Sequence, residues 1–311
     1  MYCNTFSTLA VGKVRYGLML REDGFVLDDG TTARLGEHHY LTTTTTAAAG
    51  LVMRHMEFVH QAFCAGWDVR FISVTEAWAQ FAIAGPKARD LLNSMLDAPL
   101  GEFPFMACGT VALQSVAARL FRISFSGEAG YEIAVPTRYG EALFRDLLAR
   151  AETMGGGPYG MEALNVLRIE KGFITHAEIH GRVTAFDIGM EKMVSAKKDC
   201  IGKAAAARPG MIEAARDQLV GIRAPGSEVL TAGAHLFTPG DALTRVNSHG
   251  YLTSVGYSPV LNGFLALGFL TDGRARHGQR IRVVDRLRNI DVICEVCDPV
   301  FFDKEGEKLR A

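Results

Sequence analysis

Residues 121–136 read FRISFSGEAGYEIAVP, and this stretch has the form of a β-hairpin. Apolar residues recur on both sides of residues 126–130, a short segment whose two glycines favour a turn. Glu132 follows the turn on the returning strand, between Tyr131 and Ile133. Because glutamate is mostly exposed in proteins, one interpretation is a solvated residue at a strand edge. The other is a ligand anchor, since one carboxylate accepts two hydrogen bonds from a heterocycle that presents a ring N–H beside an amino group.

The composition is that of a globular protein with a sizeable core. The chain has 311 residues, of which 48 % are hydrophobic and 22 % charged, and its formal net charge is −1. This length predicts two domains or one large one. The near-zero charge gives no electrostatic case for a nucleic acid or membrane-surface partner, and no apolar run is long enough to span a bilayer. Six scattered cysteines are predicted to be free thiols in a reducing cytoplasm.

Strand and helix patterns alternate in the first two thirds of the chain. Apolar spacing and turn residues predict strands at 42–46, 67–74 and 79–84, and helices at 47–63, 85–96, 139–151 and 161–171. This order predicts an α+β domain that contains split βαβ or ferredoxin-like pieces.

The pattern changes near residue 205, where helical periodicity nearly disappears. Short apolar runs separated by Gly, Asn or Pro then recur at 218–222, 252–257, 264–270, 280–284 and 292–296. Such a series is typical of a small antiparallel β-barrel. We therefore predict an α+β domain over residues 1–207 and a β-barrel domain over residues 208–311.

Asp28-Asp29-Gly30 is a second acidic element. Paired aspartates before a glycine commonly form turns, so we predict an exposed turn here. If the pair lay on a strand instead, Asp28 and Asp29 would point to opposite faces, and only one of them would reach a given site. The spacing alone does not make either residue catalytic.

Three pairs of potential metal ligands occur, and none predicts a metal site. His38 and His39 are adjacent, and His176 and His180 lie between two glycines that make a long helix doubtful. The Cys294-Glu-Val-Cys297 run is strand-like, and residues three apart on a strand point to opposite faces. We therefore expect no metal.

Five motifs, in the same order, resemble those of the glycine-cleavage aminomethyltransferase family. They are VRYGLMLREDGFVLDDG (14–30), SGEAGYEI (126–133), MEALNVLRIEKG (161–172), KDCIGK (198–203) and TSVGYSPVLNGFLALG (253–268). The sequence is even more similar to the folate-binding, carboxyl-terminal part of sarcosine oxidase alpha subunits. The segments that carry this resemblance are YGLML (16–20), the threonine run (42–46), FRISFSGE (121–128), LRIEKGFI (167–174) and VSAKKD (194–199). The resemblance extends over nearly the whole chain. It implies an aminomethyltransferase-like fold that begins inside the family's first domain.

The resemblance implies a tetrahydrofolate-dependent one-carbon transfer module. Such a module would receive formaldehyde or an imine from a flavin site on another subunit and deliver 5,10-methylenetetrahydrofolate. Flavin-carrying and other oxidase subunits are then the expected partners. Because no GxGxxG opens a βαβ unit, we do not expect the chain to act as an oxidase alone. The alternatives are a stand-alone aminomethyltransferase or demethylase, and a folate-binding assembly or regulatory module without catalysis.

The resemblance also implies roles for six residues. Asp29 matches the essential aspartate beside the folate nitrogens, where a carboxylate stabilises a developing cation and accepts a proton. Glu132 matches the glutamate that holds the pterin edge. Further folate-site positions are Tyr16, Thr45, Phe125 and Arg168. For Arg168 a structural ion pair, near Glu132 or with Glu170, is at least as good an interpretation.

Overall fold

Thirteen β-strands and seven α-helices make up the fold, and the computed structural model describes all residues 1–311. The strands are β1 Val14–Leu20, β2 Val26–Arg34, β3 Tyr40–Thr42, β4 Trp78–Ala84, β5 Cys108–Leu113, β6 Val116–Phe121, β7 Gly130–Pro136, β8 Asp217–Arg223, β9 His235–Phe237, β10 Ser248–Ser258, β11 Gly263–Thr271, β12 Arg280–Asp285 and β13 Ile290–Cys297. The helices are α1 Ala49–Phe63, α2 Ala88–Asn93, α3 Gly140–Thr153, α4 Met161–Glu170, α5 Lys203–Ala206, α6 Pro209–Ile212 and α7 Glu307–Arg310. None of these helices combines the length and apolar character needed to cross a membrane.

The chain divides into two compact units, each of which contains more than one stretch of sequence. The first consists of Met1–Thr5, Leu18–Leu27 and Met161–Glu305, and the second of Phe6–Gly17, Asp28–Gly160 and Gly306–Ala311. The domain boundary that we expected between residues 207 and 208 stays a prediction.

A closed six-stranded barrel dominates the first unit. Its strand order is β10-β11-β8-β13-β12-β9, and all six pairs of neighbouring strands are antiparallel. The barrel interior is filled by aliphatic side chains that are almost fully buried, among them Val220, Ile222, Leu236, Leu252 and Val296. The predicted barrel is confirmed, and five of its six strands coincide with the apolar runs of the sequence. The sixth, β9, is only three residues long and leaves no periodic signal.

The second unit contains a four-stranded antiparallel sheet of order β4-β7-β6-β5. Helices α2 and α3 cover one face, where Leu120 and Ile133 of the sheet pack against Leu92, Leu143 and Leu147 of the helices. Because side chains alternate between the faces of a strand, the residues next to these apolar ones project from the opposite face. The α+β class with ferredoxin-like sheets is confirmed, and this opposite face carries one of the predicted site residues.

The predicted hairpin around residue 126 is confirmed in its pairing but not in its length. Strand β7 pairs antiparallel with β6, with Glu132 opposite Phe121. Strand β6 ends at Phe121, and residues 122–129 form the connecting loop. Arg122 closes this loop by donating a hydrogen bond at 2.7 Å to the backbone carbonyl of Gly130, while its guanidinium lies over the ring of Tyr131.

Two predicted strands are wrong. The threonine run 42–46 forms a strand only up to Thr42, and a 3-10 turn begins at Thr46. Residues 67–74 form no strand, although their side chains alternate in character. Alternation stabilises a strand only when a neighbouring strand takes up its backbone hydrogen bonds, and here none does. Trp67 and Ile72 are accordingly exposed, by 67 % and 77 %.

Candidate functional site

Asp29 lies on β2 with its carboxylate half-buried and held by two hydroxyl groups. The Tyr16 hydroxyl on β1 donates a hydrogen bond to Oδ2 at 2.7 Å. The Thr45 hydroxyl approaches Oδ1 at 3.5 Å. Three of the six residues named from the resemblance therefore lie side by side in the second unit.

Gly30 explains why Thr45 reaches this carboxylate. A Cβ on Gly30 would lie 2.1 Å from the backbone carbonyl oxygen of Thr43, so only glycine allows the chain to cross β2 here. The crossing is fixed by hydrogen bonds between Thr31 and Thr43, including Thr43 N–H to the Thr31 carbonyl at 2.8 Å. Thr45, two residues after Thr43, therefore lies beside Asp28 and Asp29.

The expected exposed turn at the aspartate pair is therefore wrong, because this segment is an interior part of β2. Asp28 is only 1 % exposed, and its Oδ2 accepts a hydrogen bond from the Thr45 backbone N–H at 3.1 Å. Asp28 thus fixes the chain that carries Thr45, whereas Asp29 presents a half-buried carboxylate. Gly30 allows two chain segments to approach each other closely, and it does not form a turn.

Burial raises the pKa of Asp29 above the ordinary aspartate range. The Tyr16 hydrogen bond opposes this shift by stabilising the ionised form, and the neighbouring charge of Asp28 adds to the shift. No lysine or arginine pairs with Asp29. A carboxylate of this kind binds a proton more readily than a solvated one, which suits it to act as a proton acceptor.

Glu132 lies in the middle of β7, on the sheet face away from α2 and α3. Its neighbours across the strands are Ala82 on β4 and Phe121 on β6. The side-chain amide of Gln80, two residues before Ala82 and on the same face, donates a short hydrogen bond to Oε2 of Glu132. Glu132 is half-buried and forms no ion pair.

The pKa of Glu132 is raised by burial and lowered in part by the Gln80 hydrogen bond. Burial raises the pKa of the Tyr159 phenol, and the nearby charge of Glu132 adds to the shift. A half-buried carboxylate with no cation to balance it is favourable only if a ligand donates hydrogen bonds to it or if it takes up a proton. The arrangement therefore suits a ligand edge with N–H donors.

The other two predicted positions lie in different surroundings. Phe125 is in the loop 122–129 and is 38 % exposed. Arg168 lies on α4 in the first unit and is 3 % exposed.

All five N–H groups of Arg168 are donated within the protein. They reach the Asn165 side chain, the Phe173 carbonyl, the Ser254 hydroxyl and Glu178, whose carboxylate lies 3.1 Å away. Glu178 is fully buried and also accepts hydrogen bonds from Thr175, Thr253 and Ser254. These contacts favour the structural interpretation of Arg168, and a folate contact stays a prediction.

Gln80 is a functional candidate that sequence reasoning missed, and Glu178, not Glu170, is the ion-pair partner of Arg168. Gln80 interrupts an otherwise apolar strand, Trp-Ala-Gln-Phe-Ala-Ile-Ala, and that interruption was the available signal. Glu178 lies in an irregular segment after α4 and had no periodic signal.

Comparisons with known proteins agree with this fold. Residues 1–198 match the family model described as the GCVT N-terminal domain, and residues 218–303 match the glycine cleavage T-protein C-terminal barrel domain. The chain is 48 % identical over its full length to a sarcosine oxidase subunit alpha of Rhizobium meliloti, and 38 % identical over 99 % of its length to that of a Corynebacterium species. It spans 32 % of the length of each of these relatives.

Aminomethyltransferases are also similar. The chain is 30 % identical to that of Streptomyces coelicolor, with 87 % of the chain and 72 % of the relative covered. In fold it resembles the crystal structure of the glycine cleavage system aminomethyltransferase T from Bartonella henselae, with a TM-score of 0.80, 24 % identity, and coverage of 96 % of this chain and 78 % of that one. The chain belongs to the glycine cleavage T-protein family.

Proposed function

We propose that the chain is a tetrahydrofolate-dependent one-carbon transfer module of a sarcosine oxidase alpha-type subunit. It would capture the imine or formaldehyde that arises from sarcosine oxidation, as 5,10-methylenetetrahydrofolate. Two sarcosine oxidase alpha subunits match 100 % and 99 % of this chain, at 48 % and 38 % identity, and this supports the proposed type of subunit. Flavin-carrying and other oxidase subunits are the proposed partners, and the six free cysteines fit a reducing cytoplasm.

One observation carries the proposal: Tyr16, Asp29 and Thr45 meet around a carboxylate whose pKa is raised. These residues come from β1, β2 and the segment that crosses at Gly30, so the fold and not their spacing brings them together. When bound, tetrahydrofolate supplies the nitrogen atoms that take up the one-carbon unit. Asp29 accepts the proton released there and offsets developing positive charge. Tyr16 orients the carboxylate and keeps part of it ionised.

Glu132 is proposed to hold the flat ring of the ligand. A pterin presents a ring N–H beside an amino group, and one carboxylate accepts both hydrogen bonds. The residues present fit this ligand, since Glu132 is half-buried, unpaired with any cation and oriented by Gln80. Phe125 is proposed to stack on the ligand from its loop.

A stand-alone aminomethyltransferase is a second candidate, because the Streptomyces coelicolor enzyme is 30 % identical over 72 % of its length. A folate-binding module without catalysis is a third, and Asp29 distinguishes it from the enzymes. A pure binding module would keep its assembly role when Asp29 loses its charge, whereas an enzyme would lose turnover.

The test is the rate of 5,10-methylenetetrahydrofolate formation by the chain together with flavin-carrying oxidase subunits and sarcosine. We expect a rate above the uncatalysed condensation of formaldehyde with tetrahydrofolate, and loss of that excess in Asp29→Asn. Equal rates with and without the chain would contradict the proposal.

A further inference from the structure

Arg119 and Trp78 form a stacked pair on the same sheet face as Glu132. Arg119 on β6 lies opposite Ala134 of β7, two residues beyond Glu132 and therefore on the same side of the sheet. Trp78 on β4 lies opposite Pro136, four residues beyond Glu132. The Arg119 guanidinium carbon is 3.8 Å from the centre of the Trp78 ring, so the two side chains meet above β7.

The charge of Arg119 is not balanced by the protein. Arg119 is half-buried and forms no ion pair, and burial lowers the pKa of its guanidinium. Arg216 and Arg168, by contrast, have acidic partners in Asp187 at 2.7 Å and Glu178 at 3.1 Å. Burying a charge without a partner is unfavourable, so the site is suited to an anionic ligand. Stacking on an indole holds the planar guanidinium in place and leaves its N–H edge available.

The distance to Glu132 suits one elongated ligand. At about 3.3 Å per residue, the two to four residues of β7 between Glu132 and the stacked pair span roughly 7 to 13 Å. Between them on this face lie Ala134 of β7 and, opposite it on β4, Gln80, whose amide is hydrogen-bonded to Glu132. A folate has this order of groups: a ring edge with N–H donors, a flat aromatic middle, and a glutamate tail with carboxylates.

We propose that Arg119, held against Trp78, binds the carboxylate tail of the folate whose ring edge Glu132 holds. This inference rests on the proposed function, and it adds a residue that determines specificity for the acidic tail. A guanidinium–carboxylate contact is charge-assisted and often bidentate, so its loss should weaken binding by about 10- to 100-fold.

The experiment compares two ligands by calorimetric titration of the full chain. Tetrahydrofolate carries the glutamate tail, and tetrahydropteroyl amide has an uncharged primary amide in place of the glutamate. Wild-type chain should prefer tetrahydrofolate by about 10- to 100-fold, and Arg119→Gln should abolish that preference while leaving the affinity for tetrahydropteroyl amide unchanged. Arg119→Lys should keep part of the preference, because the charge stays but the planar fork is lost.

Arg138→Gln is the matched control, since Arg138 also stacks on an aromatic ring, that of Tyr139, but is exposed. It should leave both affinities unchanged. An equal loss for both ligands in Arg119→Gln, or an intact preference, would overturn the role of Arg119 while leaving folate binding in place. If wild-type chain binds neither ligand, the proposed function itself fails, and this role fails with it.

Discussion

Replacing Asp29 with asparagine separates catalysis from binding. The variant keeps the shape of the side chain but loses the negative charge and the proton acceptor. A positioned general base contributes about 10²- to 10⁴-fold to a rate, so the one-carbon transfer rate should fall by that factor. Tetrahydrofolate affinity should change little, because Glu132 and not Asp29 is proposed to hold the ring.

The effect of Asp29→Asn on stability is the sum of two opposing terms. The hydrogen bond from Tyr16 to a charged oxygen at 2.7 Å contributes about 1.5–3 kcal/mol. Against it stands the burial of the charge, which raises the pKa of Asp29 and is relieved in the variant. An asparagine oxygen can still accept the Tyr16 hydrogen bond. The free energy of unfolding should therefore change by less than about 1 kcal/mol.

Asp28→Ala is the matched comparison. The buried carboxylate of Asp28 accepts a hydrogen bond from the Thr45 backbone N–H at 3.1 Å. Leaving that buried group without its acceptor should lower the free energy of unfolding by about 1–3 kcal/mol.

Three readouts distinguish the two aspartates: methylenetetrahydrofolate formed with the oxidase subunits, tetrahydrofolate bound in a titration, and the midpoint of denaturant unfolding. We expect Asp29→Asn to lose rate with little change in stability, and Asp28→Ala to lose stability. An Asp29→Asn variant with the wild-type rate would refute the catalytic role. A loss of stability equal to that of Asp28→Ala would show that Asp29 is structural.

Three further changes test the site and its surroundings. Tyr16→Phe removes the hydrogen bond that lowers the pKa of Asp29, so the acid limb of the pH–rate profile should move to higher pH; a limb that does not move speaks against this contact. Glu132→Gln should weaken tetrahydrofolate binding by about 1.5–3 kcal/mol in a titration. Because the pKa of Glu132 is raised in the folded state, its stabilising effect is complete below the unfolded-state pKa and is lost as pH rises through the folded-state pKa. Glu132→Gln should therefore raise the melting temperature at pH 8 more than at pH 4, and the opposite order would exclude a raised pKa. Arg168→Ala leaves a fully buried glutamate without its cation and should lower the free energy of unfolding by about 3–5 kcal/mol. Arg145→Ala, at the exposed ion pair with Glu141, should have little effect in the same denaturant series.

The fold could be predicted where the signal is local. Apolar runs bounded by turn residues predicted five strands of the barrel, and the stripe that contains Leu143 and Leu147 predicted α3. Such patterns follow from side-chain direction within one element. The strand expected at 67–74 failed because its stability depends on a neighbour, which no local pattern reveals.

The site depended on chain crossings and register, which the sequence does not show. The aspartate pair resembled a turn because Gly30 was assigned a turn conformation, whereas its function is to admit the Thr43 carbonyl. Gln80 reaches Glu132 only because β4 and β7 pair with Ala82 opposite Glu132. A slip of one residue would move Gln80 to the covered face of the sheet. Resemblance to a family identified the carboxylates, and the pairing of distant segments determined what surrounds them.

The most direct test of the central claim is a calorimetric titration of the chain with tetrahydrofolate, beside the same titration of Glu132→Gln. The claim is that Glu132, on the sheet face away from α2 and α3, holds a folate ring. We predict saturable binding to the wild-type chain, weakened by about 10- to 150-fold in the variant. No binding to the wild-type chain, or the same affinity in both, would contradict the claim.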